Sequence, residues 1–240
     1  MRRHTIFLDW GGTLAQVPDE FSHPWKVWAH LLATWEQPPT EDQIRLALEV
    51  VDRELGNRIY AYLGRSSESW KAYDGRVMDV LGIRARRADL EELLQQVFED
   101  PSLVRLYPET PTVLAALRNR GYRTGLISNH NDSLLRVLQH HHLKPLLDTV
   151  TYSQEAGAEK PDPAVFALAL RRAGTTASDA VHVGDSIEAD VEGARAVGIH
   201  PIWLNRRRLD CSPGCPTIAS LSELVPTLDA MSEARGNRLI

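Results

Sequence analysis

The stretch Ile6-Phe7-Leu8-Asp9-Trp10-Gly11-Gly12-Thr13-Leu14 decides how the rest of the chain reads. Three large apolar residues behind His4-Thr5 have the pattern of a short buried strand, and the run stops on an acid followed by two glycines. A strand that empties into a glycine turn puts Asp9 at its carboxyl end. No comparable strand follows until Arg123. Segments 24–36, 40–62, 67–82 and 87–98 show helical spacing instead. Ile44, Leu48, Val51 and Leu55, for example, fall on one stripe. Pro38-Pro39 breaks the chain before that stripe, and Thr40 followed three residues later by Gln43 has the form of a helix-starting capping box.

Beyond Pro101 the style changes. A helix over 111–120 closes at Gly121, and a strand follows over 123–128. Then come a helix over 132–141, an extended piece over 148–152 and a helix over 163–173 ended by Gly174. A strand over 180–184, a helix over 188–197 stopped by Gly198, a strand over 199–204 and a terminal helix over 221–231 complete the chain. Strands and helices alternating through short links predict an α/β fold, a doubly wound, Rossmann-like parallel sheet covered on both faces. The expected division is a core of residues 1–14 and 104–240, with an all-helical insertion of residues 15–103.

Composition narrows the class. The 240 residues carry 27 Lys+Arg against 32 Asp+Glu, a formal charge of −5. That balance argues against a nucleic-acid partner, which needs a basic surplus. With 43% hydrophobic and 25% charged residues the chain is expected to fold rather than stay disordered. No apolar run approaches the roughly 20 residues of a membrane span, and Asp9 interrupts the N-terminal apolar run before a signal-peptide core can form. The expectation is a cytoplasmic protein without a membrane partner; nothing in the sequence fixes an oligomeric state. Cys211 and Cys215 make no disulfide framework and lack the second ligand pair of a structural zinc site. His140-His141-His142 reads as a helix terminus, and Arg206-Arg207-Arg208 as a solvated loop. Lysines number four, Lys26, Lys71, Lys144 and Lys160, so each is worth locating.

In open parallel sheets, ligands bind beyond the carboxyl ends of the strands. Four groups of residues are expected there: Asp9; Ser128-Asn129; Lys160, in the loop Glu159-Lys160-Pro161-Asp162; and Asp185 with Asp190, after Gly184. Carboxylates beside a hydroxyl and one ammonium suit a hard cation such as Mg²⁺ and a phosphoryl group. Each also has a plainer reading alone. Asp9 fits a turn, Ser128 or Asp185 a helix cap, and Lys160 a solvated loop.

Taken in order, Ile6–Leu14, Leu126–Asn129, Glu159–Phe166 and Val181–Val197 resemble the four successive motifs of the haloacid dehalogenase superfamily of hydrolases. The helical insertion sits where that family carries a helical cap. The resemblance implies Asp9 as the nucleophile that forms an aspartyl-phosphate and Thr13 as the threonine that steadies its loop. It implies Ser128 and Asn129 at the phosphoryl group, and Lys160 as the cation offsetting charge there. Asp9, Asp185, Asp190 and the Gly11 carbonyl would hold Mg²⁺. The implied substrate is a small phosphorylated metabolite selected by the cap. The cap aromatics Trp25, Trp28, Trp35, Tyr60, Tyr62, Trp70 and Tyr73 are mostly expected to pack.

One position departs from the family. Its phosphatases usually read Asp-x-Asp-Gly-Thr, whereas this chain reads Asp9-Trp10-Gly11-Gly12-Thr13. The second aspartate, which serves there as general acid and base, is replaced by Gly11. Such assistance is worth about 10²–10⁴ in rate. The resemblance then leaves open a slow phosphatase, one limited to good leaving groups, or one in which His130 or a cap side chain substitutes. It also leaves open a phospho-ligand binder without catalysis. C–halogen hydrolysis would proceed without a metal, which the Asp185 and Asp190 pair argues against. C–P hydrolysis would need Lys26 or Lys71 for an imine, and relatives of that kind tend to carry arginine where Lys160 stands.

Overall fold

Strands β1 (Thr5–Leu8), β2 (Ala15–Gln16), β3 (Arg105–Leu106), β4 (Arg123–Ser128), β5 (Thr149–Tyr152), β6 (Ala180–Gly184), β7 (His200–Leu204) and β8 (Thr217–Ile218) form two sheets. The larger has the order β5-β4-β1-β6-β7-β8, and β2 pairs with β3 in the smaller. The computed structural model describes residues 4–16, 23–54 and 67–234. Every pairing in the large sheet is parallel. The doubly wound α/β fold expected from the sequence is the observed one.

The chain divides into two compact units, residues 1–16 with 106–240 and residues 17–105. Within the second unit lie α1 (Pro24–Leu32), α2 (Glu41–Glu54), α3 (Ser67–Val80) and α4 (Arg87–Glu99). The capping box forms as its spacing predicts. Thr40 N–H donates to Gln43 Oε1 at 2.8 Å, and Gln43 N–H to Thr40 Oγ1 at 3.3 Å. Ile44, Leu48 and Val51 are buried with Trp28, Tyr73 and Met78 in this unit's apolar core. Tyr73 also donates its hydroxyl to the buried Asp52. Tyr60, Tyr62 and Leu55 lie outside the described residues, as does the side chain of Trp70.

The first unit adds α5 (Thr110–Asn119), α6 (Ser133–His140), α7 (Ser153–Ala156), α8 (Pro163–Ala173), α9 (Gly193–Ala196) and α10 (Leu224–Ala234). Phe7 and Ile127 from the sheet pack with Val165, Phe166 and Ala169 of α8. These strands read as near-continuous apolar runs because burial on both faces removes any need for alternation.

One sequence expectation changes, and three short strands go unforeseen. The helix expected over 188–197 is instead a π-helical turn, Ile187–Glu192, followed by the short α9. The strands β2, β3 and β8 span two residues each, too short to leave a periodic trace. No helix among the described residues is long and apolar enough to cross a membrane.

Candidate active site

Register decides what the strand ends share. Leu8 lies between Leu126 of β4 and Val183 of β6. Asp9 therefore leaves the sheet at its centre, its N–H donating to Val183 O at 2.9 Å. The chain turns at once: the N–H groups of Thr13, Leu14 and Ala15 all converge on Trp10 O. Gly12 has φ +72°, and a Cβ there would stand 2.3 Å from Asp185 Oδ2. Only glycine lets the turn pass that close to the second carboxylate.

Lys160 is buried, with 6% of its surface exposed. Its ammonium has three donors, and all three are used. They reach Asp9 Oδ1 at 2.6 Å, Asp190 Oδ1 at 2.5 Å and Ile127 O at 3.1 Å. The lysine is held from behind by Asn129. Asn129 Oδ1 accepts from Lys160 N–H at 2.7 Å, and its amide nitrogen donates to Lys160 O at 3.1 Å. The side chain expected at the phosphoryl group thus serves to fix Lys160. Ser128 ends β4, one residue past the Ile127 carbonyl that Lys160 holds.

Asp190 is gripped on both oxygens. Oδ1 accepts from Lys160 and from His182 Nε2 at 2.9 Å, and Oδ2 from Ser186 N–H at 3.0 Å. The wide turn of Ile187–Glu192 aims it back over Gly184, where a Cβ would stand 2.1 Å from its carboxyl carbon. π-helical turns recur at functional sites for this kind of re-aiming. Asp9, Asp185 and Asp190 each offer a carboxylate oxygen, and these atoms lie within 4.8 Å of one another.

Three acids so close cannot all ionise freely. Burial pushes Asp9 up to about 6, Lys160 pulling the other way while the charges of Asp190 and Asp185 add to the rise. Asp185 also rises to about 6 through desolvation and the Asp190 charge. Its side chain has surface exposure, so water screens part of that rise. Burial would raise Asp190 as well, but Lys160 and His182 hold it well below the usual carboxylate range. Lys160 stays a cation despite burial because Asp190 and Asp9 face it.

The remaining expected residues are placed less directly. Thr13 is fully buried, and its hydroxyl has no hydrogen-bond partner; the turn is held through its backbone. Gly11 is exposed, and a Cβ on it would meet nothing within 4 Å. Burial pushes the His130 imidazole down, and its Nδ1 accepts from Asn131 N–H at 3.0 Å.

Sequence reasoning missed two residues. His182 sits in an apolar strand and reads there as core. Arg206 belongs to an arginine run that reads as a solvated loop, yet its side chain is only 17% exposed. That expectation is corrected for Arg206. Its Nε donates to Gly12 O at 3.1 Å, Nη2 to Thr13 O at 2.9 Å and Nη1 to Glu109 Oε1 at 2.7 Å.

An acid, a lysine and two further carboxylates thus meet at the carboxyl rim of a parallel sheet. The chain belongs to the haloacid dehalogenase-like hydrolases, whose profile matches residues 4–198. Haloacid dehalogenase-like hydrolase domain-containing protein 3 of Bos taurus is 34% identical over 148 residues, 59% of each chain. The match thus spans about three-fifths of that relative's length. A phosphoserine phosphatase of Thermus thermophilus is 36% identical over 121 residues, covering 48% of this chain and 47% of that one. A haloacid dehalogenase-like hydrolase from Xanthomonas campestris shares the fold with TM-score 0.72 at 18% identity, covering 97% of this chain and 94% of that one.

Proposed function

We propose that this hydrolase is a Mg²⁺-dependent phosphatase of small phosphorylated metabolites, in which Asp9 attacks phosphorus to form an aspartyl-phosphate. The observation that supports this best is the juxtaposition of Asp9 with Lys160 at 2.6 Å and with two further carboxylates within 4.8 Å. The phosphatases among the relatives add to it, including the one from Thermus thermophilus and a glyceraldehyde 3-phosphate phosphatase from Methanothermobacter thermautotrophicus.

The donor set fits a hard divalent cation. Asp9 and Asp185 are both pushed up to about 6, chiefly by burial and further by the neighbouring carboxylates, so a dication between them would favour their charged forms. Asp9, Asp185 and the Gly11 carbonyl would hold it, with Asp190 acting directly or through water. When bound, Mg²⁺ neutralises charge on the transferred phosphoryl group.

This chain's own residues do the rest. The Trp10–Ala15 turn presents the Asp9 carboxylate, Lys160 balances its charge, and Asp190 with Asn129 keeps Lys160 in place. Thr13 steadies the turn from within, and Ser128 completes the phosphoryl side. Gly11 supplies no proton to the leaving oxygen, which favours substrates whose leaving group needs none. The same residue supports a second reading, a phospho-ligand binder with little turnover.

Phosphate release from a panel of phosphomonoesters, with and without Mg²⁺, separates the two. The phosphatase reading expects metal-dependent release that Asp9→Asn abolishes; release unchanged in Asp9→Asn would eliminate it. Because a Cβ at position 11 would meet nothing within 4 Å, Gly11→Asp should fold normally and raise the rate at least about tenfold. No gain would show that the missing carboxyl is not the limiting defect.

A further inference from the structure

Arg206 makes contacts that neither the phosphoryl chemistry nor ordinary loop packing accounts for. The Asp9 turn satisfies most of itself on Trp10 O, and the carbonyls of Gly12 and Thr13 face outward to one guanidinium. That guanidinium is itself confined. It lies 3.6 Å from the Tyr107 ring centre, and its third contact, Glu109 Oε1, also accepts from Ser220 Oγ at 3.2 Å. Tyr107 N–H and Thr110 Oγ1 in turn both donate to Leu14 O, tying this support to the end of the same turn. A planar fork stacked on an aromatic face loses little freedom on binding, so it holds its acceptors in register.

The loop that carries Arg206 also touches the other carboxylate's backbone. Trp203, near the end of β7, donates its indole N–H to Asp185 O at 2.9 Å. Between the two, Asn205 braces the loop: its Oδ1 accepts from Leu209 N–H at 2.8 Å, and its Nδ2 donates to Leu209 O at 2.9 Å. One stiff segment, 203–209, therefore grips the Gly12–Thr13 backbone with one residue and the Asp185 backbone with another. Those are the two places whose spacing sets how the turn carrying Asp9 stands against Asp185, and Gly12 comes so close to the Asp185 carboxylate that it tolerates no Cβ.

The geometry points to Arg206 as a positioning residue that, with Trp203, fixes the nucleophile turn against Asp185 and so sets how strongly that carboxylate pair takes a divalent cation. The inference rests on the proposed reading of Asp9 and Asp185 as the cation-binding pair. It predicts that loosening Arg206 weakens cation binding and turnover, while leaving phosphomonoester affinity nearly unchanged.

The test is calorimetric titration of Mg²⁺ into the metal-free full-length chain, for wild type, Arg206→Ala, Arg206→Lys and Trp203→Phe, with Asp9→Asn as the non-binding control. Kinetics with p-nitrophenyl phosphate run in parallel. Losing charge-assisted hydrogen bonds to two carbonyls should weaken Mg²⁺ binding by about tenfold or more in Arg206→Ala. Turnover at saturating Mg²⁺ should fall by about tenfold, with KM for the ester moving by less than about threefold. Arg206→Lys should fall in between, and millimolar methylguanidinium should restore Arg206→Ala in part. If Arg206→Ala does not fold, Arg206→Lys and Trp203→Phe carry the same expectation of weakened Mg²⁺ binding. Mg²⁺ affinity unchanged in the folded variants, with only melting temperature lowered, overturns the inference and leaves the phosphatase reading standing. Wild type that takes up no Mg²⁺ overturns both.

Discussion

Lys160 and Arg206 reach the Asp9–Thr13 turn from loops that follow strands on opposite flanks of β1, one beyond β5 and the other beyond β7. Lys160 is a point charge, buried, with two of its three contacts on carboxylates. Arg206 is a planar fork, partly buried, with two of its three contacts on neutral carbonyls. The first side of the turn is governed by charge balance, the second by shape. Removing a buried counter-charge strands its partners, whereas removing a fork from carbonyls frees a backbone that water can partly satisfy. Damage on the two sides should therefore differ in kind and in size.

The comparison breaks most visibly at Lys160. Lys160→Met leaves Asp9 and Asp190 buried without their cation, and should cost about 3–5 kcal/mol in urea denaturation. Phosphate release should fall by about 10²–10³. Loss of activity with full stability would mean the lysine's charge is not structural.

A second effect separates Asp9 from Asp190. Its carboxyl is raised to about 6 in the folded protein against 3.8 in a model compound. The stability this group adds is complete below about pH 4 and is lost as pH rises through 6. Metal-free Asp9→Asn should thus gain on wild type by up to a few kcal/mol between pH 4 and pH 7, read from melting temperatures. Saturating Mg²⁺ at pH 7 should narrow that gap by stabilising wild type alone. A gap that stays flat with pH would place the Asp9 carboxyl near its ordinary value.

Smaller changes probe the supports behind each cation. Asn129→Ala removes both hydrogen bonds on the Lys160 backbone and should cost about 1–3 kcal/mol, with activity falling roughly in step. Glu109→Gln removes the charge from the ion pair with Arg206, where both side chains are partly exposed, and weakens the bond that Glu109 accepts from Ser220 Oγ. It should cost about 1 kcal/mol or less in the same denaturation assay. A larger loss at Glu109 than at Asn129 would invert the comparison.

How much of this the sequence disclosed follows the same division. Asp9, Lys160, Asp185 and Asp190 were legible because each follows a strand-like run, and parallel topology gathers strand ends at one rim. The Thr40–Gln43 box was legible because its bonds are local. Arg206 was not, because its partners Gly12 and Thr13 lie at the opposite end of the chain and become neighbours only through the β1-β6-β7 order. His182 was hidden by its apolar strand; Asn129 was legible as a rim residue, but its hold on the Lys160 backbone was not, because it joins residues 31 apart in the chain. The π-helical turn left no periodic sign to distinguish it from the helix expected there.

That turn ties chain length to chemistry. Both Asp190 and Val191 donate their N–H to the carbonyl of Ser186, so the segment carries one residue more than an ordinary coil would. Excising a single position among 187–189 would close a regular coil and rotate the residues downstream of the cut by about 100°. The acid would then swing clear of both its ammonium and its imidazole with no functional side chain altered. Spacing, as much as residue identity, is therefore what this stretch must preserve.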